Sequence, residues 1–81
     1  MDVQKRLSNE KQFDQWTDKK DGGRIYYFEI PGKYGWFSRY LKETDEGEIT
    51  LRFWQEIYDE KHDLREIHEK YPLDKGHKKL K

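Results

Sequence analysis

Residues 48–71 read EITLRFWQEIYDEKHDLREIHEKY, and the conformation of their second half decides the fold. The first half is rich in β-branched and aromatic residues, so Glu48 to Tyr58 reads as a strand. The second half is ambiguous. Leu64, Ile67 and Tyr71 fall at helical spacing, and Glu, Lys and Arg favour helix. A hairpin turning about Asp59 to His62 makes a competing expectation. It sets Glu56 opposite Arg65, Trp54 opposite Ile67 and Arg52 opposite Glu69, so opposite charges and apolar groups meet at successive positions. A helix offers no such set of matches, and the strand is favoured.

Working back towards the N-terminus, Trp36 to Glu43 and Arg24 to Ile30 read as two further strands. They are separated by Pro31-Gly32-Lys33-Tyr34-Gly35, where Pro lacks a ladder amide and Gly supplies unusual dihedrals. Thr44-Asp45-Glu46-Gly47 suits a three-residue hairpin loop with Gly47 left-handed. Extending the register pairs Ser38 with Trp54, Tyr40 with Arg52, Leu41 with Leu51 and Tyr26 with Tyr40.

The expected fold is α+β: a short N-terminal helix packed on a four-stranded antiparallel β-meander. Within a single domain over residues 1–81, the helix covers 7–17, the sheet 24–71 and a basic tail 72–81. Ser8 or Asn9 caps the helix, Phe13 and Trp16 share its buried face, and Leu7 staples its entry. One sheet face then carries Ile25, Tyr27, Phe37, Leu41, Ile49, Leu51, Phe53, Ile57 and Leu64. The other carries Tyr26, Phe28, Ile30, Trp36, Tyr40, Trp54, Tyr58, Ile67 and Tyr71. One short helix covers one face, so the second wants a partner.

Composition is consistent with a thin core. The 81 residues are 32% hydrophobic and 42% charged, but the apolar residues include three Trp, six Tyr and four Phe, each able to bury roughly 150–250 Å². Absence of cysteine excludes a disulfide framework and thiolate metal sites. No apolar run resembles a signal peptide or membrane span, so a cytoplasmic location without membrane contact is expected. Net charge is zero, but acids crowd the stretch from Glu43 to Glu60, and Lys75, Lys78, Lys79 and Lys81 make the end basic.

Two function classes follow. In the leading one the chain is a non-enzymatic binding module. Its aromatic face, with Tyr26, Trp36, Tyr40 and Trp54 as contacts and Arg39 and Arg52 as polar handles, homodimerises or meets a protein or RNA partner. Rings interleaved with cations suit single-stranded RNA, because bases stack on rings while phosphates meet cations. Zero net charge opposes tight binding of this kind. In the alternative, the chain is a small ribonuclease or toxin–antitoxin component. His68 and His77, with Glu66 or Asp74, would perform acid–base chemistry if the segment Asp74-Lys75-Gly76-His77 turns back on the last strand. The ordinary reading of both histidines is as surface residues. A metal site from His68, His77 and Asp74 lacks any ligand-spacing motif. Phosphate-binding glycine loops and nucleophile elbows are missing, and no cofactor is implied.

The segments Phe53 to Asp59, Ile67-His68-Glu69-Lys70-Tyr71-Pro72 and Asp74-Lys75-Gly76-His77 resemble a family of short prokaryotic proteins of unknown function. The likeness runs from about Arg24 to Leu80 and implies a sheet over that span, but no activity. More loosely, an acid followed by Gly and His near the end is similar to some small toxins of toxin–antitoxin pairs. Those carry several more histidines there than His77 alone.

Overall fold

A computed structural model describes residues 2–80; Met1 and Lys81, the last charge of the expected tail, lie outside the described residues. Among the described residues are one α-helix, α1 (Val3–Phe13), and six strands: β1 (Gln15–Asp18), β2 (Arg24–Pro31), β3 (Phe37–Thr44), β4 (Thr50–Tyr58), β5 (Leu64–Tyr71) and β6 (Gly76–Lys79). The strands form one antiparallel sheet in sequence order. The class is α+β as expected, but the sheet has six strands rather than four. The segment 65–71 is strand, because β5 finds ladder partners on both sides.

Both extra strands lie in segments expected to be something else. The helix starts earlier than expected, at Val3, because Asp2 caps it, accepting from the Lys5 amide at 3.1 Å. It stops at Phe13 because Asp14 turns left-handed, at φ 56°. Asn9 therefore sits inside the helix, Leu7 is exposed rather than a staple, and Trp16 belongs to β1. The expected basic tail folds back as β6, hydrogen-bonded to β5.

Three hairpin turns share one geometry. Lys19, Asp45 and Asp59 each donate an amide to the residue four positions on (Gly23, Ile49, Asp63) and accept one from the residue three positions on (Gly22, Glu48, His62). The latter three are left-handed, at φ 92°, 66° and 67°. In two of the turns the opening aspartate also locks the loop: Asp45 accepts from the amides of Gly47 and Ile49, and Asp59 from those of Lys61 and Asp63. The second turn thus sits one residue later than expected, with Glu48 rather than Gly47 left-handed.

That displacement moves the β3–β4 register by two residues, which by itself leaves the faces unchanged. A bulge at Leu51 adds one further residue, so β4 meets β3 as Leu41↔Trp54 and Ser38↔Ile57, three residues from the expected register. An odd shift exchanges the faces of every later strand. Trp54, Tyr58 and Ile67 therefore share a face with Ile25, Tyr27, Phe37 and Leu41, while Phe53 and Ile57 join Tyr26, Phe28 and Tyr40. The β2–β3 register moves by two residues, Phe28 facing Tyr40, which leaves faces unchanged. In β4–β5, Glu56 faces Ile67 and Trp54 faces Glu69. The Arg52–Glu69 attraction survives diagonally as a bidentate ion pair.

The core lies between α1 and one sheet face, where Phe13 and Tyr26 are fully buried. Phe13 packs against Tyr26, Phe28 and Phe53 with ring centroids 5.4–6.3 Å apart. Burying such a ring contributes roughly 2–3 kcal/mol. Beside it Glu48, 3% exposed, accepts from Tyr26 Oη, Asn9 Nδ2 and the Arg6 guanidinium. This cluster fastens α1 to the β3–β4 turn.

The opposite face has no helix and is covered by its own cations. The Arg39 guanidinium lies over the Tyr27 and Tyr58 rings at 5.8 and 5.2 Å, and that of Arg52 over Trp54 at 3.9 Å. Glu56 accepts from Trp54 Nε1 at 3.0 Å and Tyr58 Oη at 2.7 Å. Trp54 is only 6% exposed without any second layer.

Candidate active site on the β5–β6 hairpin

The expected aromatic contact set is divided by the register. Tyr26 and Tyr40 lie on the face that α1 partly covers, and Tyr26 has no exposed surface. Trp54, Arg39 and Arg52 lie on the open face, and Trp36 stands beneath the Arg65 guanidinium at 5.5 Å. These six residues do not form one surface.

The histidine cluster does assemble. After β5, Asp74 makes a tight turn by accepting the Gly76 amide at 2.9 Å, and Gly76 adopts φ 68°. A Cβ at Gly76 would meet nothing within 4 Å, so glycine serves the backbone conformation rather than space. The chain then runs back antiparallel, setting His77 opposite His68 and Lys79 opposite Glu66. The two imidazole centroids are 4.3 Å apart. Each ring has a carboxylate: His68 Nε2 lies 2.6 Å from Asp74 Oδ1, and His77 Nδ1 lies 3.5 Å from Glu66 Oε1.

The electrostatics set distinct roles for the two rings. The Gly76 amide, and then His68, holds the Asp74 carboxyl below its ordinary pKa, so it stays ionised. An ionised Asp74 keeps the Nε2–H tautomer of neutral His68 and leaves Nδ1 with its lone pair. Nδ1 is buried and has no hydrogen-bond partner among the described residues. His77 is the outer ring, its side chain 44% exposed against 16% for His68. Glu66 faces His77 Nδ1, which leaves Nε2 as the ring nitrogen turned away from that carboxylate.

The surroundings are polar and cationic. Register places Tyr40, Gln55, His68 and His77 in one row across β3 to β6 on the face that carries α1. Gln55 donates to Ser38 Oγ at 3.2 Å. Lys70 Nζ stands 5.4 Å from the Tyr40 ring centroid, and Lys79 lies opposite Glu66. Among the described residues no three His, Asp or Glu side chains converge as a metal site, and no helix is long and apolar enough to cross a membrane.

Sequence reading found the four members of the cluster but overlooked Lys70, adjacent to His68 and Glu69. It also missed Lys42, whose alternation with Tyr40 already marks the same face.

The architecture defines a small α+β domain, a six-stranded antiparallel meander with one helix and two paired His–carboxylate units on its terminal hairpin. No protein-family model, no curated protein and no solved structure matches this chain. The resemblance to short prokaryotic proteins therefore rests on the residues quoted for it.

Proposed function

We propose that the chain is a small ribonuclease of the kind found in toxin–antitoxin pairs, with His68 and His77 as its acid–base groups. The observation that carries this is the return of His77 to His68, each ring with its own carboxylate. The chain has no cysteine, and Ser38, in the neighbouring row, accepts from Gln55. A site built on two imidazoles suits a substrate that brings its own nucleophile. RNA does, in its 2′-hydroxyl. His68 takes up that proton as O2′ attacks phosphorus, forming the P–O2′ bond as the P–O5′ bond breaks. His77 Nε2 protonates the departing O5′, leaving a 2′,3′-cyclic phosphate and a 5′-hydroxyl. Lys70 and Lys79 supply positive charge to the phosphate. Expression of the intact chain is expected to arrest growth and fragment cellular RNA, with relief by His77→Ala. Normal growth together with intact total RNA would retire this reading.

A second reading is favoured by the helix-free face, where Trp54, Tyr27, Arg39 and Arg52 lie together. There the chain would homodimerise or hold a protein partner. Light scattering at micromolar concentration reports on the first of these, and a monomer would exclude the dimer.

A further inference from the structure

The cavity between α1 and the β3–β4 hairpin, about 400 Å³, lies on the same face as the histidines. Its walls include Lys5, Ser8 and Gln12 from the helix, Lys42 and Thr50 from the strands, and Tyr71. Its acid, Glu48, is already neutralised by Arg6 at 3.0 Å. Lys42 differs. Its Nζ donates to Asn9 Oδ1 at 2.9 Å and stands 5.8 Å from the Phe13 ring, with no carboxylate at ion-pair distance among the described residues. Burial pulls its pKa below the ordinary lysine value, and Glu48 opposes this only in part. A partly desolvated ammonium without a counter-charge, lining a polar cavity, is a site waiting for an anion.

Its position says which anion. Lys42 lies two residues beyond Tyr40 on β3, a displacement of about 6.8 Å along the strand from the row that holds His68 and His77. Lys70 stands over Tyr40, between that row and the cavity. Lys79, Lys70, Lys42 and Lys5 thus mark a track of cations from the histidines to the helix, on a chain with zero net charge.

We propose that this track is the binding lane for a single-stranded RNA, with a phosphate flanking the scissile one held at Lys42 in the α1 cavity. The inference rests on the ribonuclease reading and names where its substrate lies. The probe is a short single-stranded oligonucleotide with every 2′-hydroxyl methylated, which binds but cannot form the cyclic product. It is titrated against the full chain by fluorescence anisotropy at several salt concentrations. K42Q is expected to weaken binding about tenfold and to flatten the slope of log affinity against log salt by about 0.7, the value for one phosphate contact on a single strand. K5Q, on the exposed rim, moves both quantities in the same direction, so the outcome does not hang on how one half-buried substitution folds. K20Q, on the first hairpin turn, changes neither. Unchanged affinity and slope in both K42Q and K5Q would overturn the lane. Inorganic phosphate competing at millimolar levels as well as the oligonucleotide does would also overturn it, by showing a site for a free anion. Lys42-dependent binding without cleavage of unmodified RNA would sink the catalytic reading and leave the lane standing.

Discussion

His77 lies directly opposite His68 in the β5–β6 ladder, with the two ring centroids 4.3 Å apart. In the proposed reaction one of these adjacent rings serves as base and the other as acid. The arrangement depends on the tight turn after β5, where Asp74 accepts the Gly76 amide and also holds His68.

Asp74 therefore has two jobs that substitution separates. In D74N the side-chain oxygen can still accept the Gly76 amide, but the charge that fixes the His68 tautomer is gone. We expect kcat to fall by about a hundredfold or more, with an unchanged circular-dichroism spectrum. Equal loss of β-sheet signal and activity would mean that Asp74 only shapes the turn.

Glu48 is the corresponding hub for stability. Burial works to raise its pKa, but hydrogen bonds from Tyr26, Asn9 and Arg6 outweigh this and leave it below the ordinary value. The stabilisation is therefore full above the unfolded carboxyl pKa and is lost as pH falls through the lower folded value. E48Q should cost about 3 kcal/mol at neutral pH. Its stability should also fall less steeply on acidification than that of the parent. Denaturant melts at neutral and acid pH give both quantities.

His62 holds φ 67° without being glycine, a conformation costing an L-residue roughly 1–2 kcal/mol. Its ring meets Phe37 edge-on at 5.3 Å. H62A loses the ring and keeps the strain, whereas H62G loses both. H62G should be the more stable of the two by about 1 kcal/mol, as measured by thermal melts. Equal stability would show that the turn carries no backbone strain.

On the open face, burial, reinforced by Glu56, pushes the Tyr58 phenol up to about 12. The folded state holds that proton more tightly than the unfolded chain. Its contribution is therefore intact below the ordinary tyrosine pKa and disappears as pH rises through about 12. Glu56→Gln should bring the Tyr58 titration back towards the ordinary value, as seen in ultraviolet absorbance of the phenolate.

Much of the sheet was legible because cross-strand chemistry is local. The alternation in Phe53 to Tyr58 and the match of Arg52 with Glu69 identified β4 and β5. The faces were not legible, because they depend on counting. Displacing the Asp45 turn by one residue moves the register by two and leaves the faces alone, but the single bulged residue at Leu51 makes the shift odd and exchanges the faces of Trp54 and Phe53. β1 and β6 are four residues each, too short and too polar to show period-two patterning. Their neighbours create them. The histidine cluster was legible as residue types, since Asp74 and Gly76 form a turn signal before His77. The cation lane was not. Lys42, Lys70 and Lys5 come from separate elements, and only the folded register brings them to one face.

The central claim is that His68 and His77 form one acid–base site for RNA. It is tested most directly by the initial rate at which cyclic-phosphate ends appear from a short unmodified single-stranded RNA. The rates of the parent chain, H68A, H77A and H62A are compared, each checked for the parent's melting behaviour. The account predicts cleavage by the parent and by H62A, with H68A and H77A each slower by about a hundredfold or more. Equal rates in all four proteins, or no cleavage by the folded parent, would contradict it.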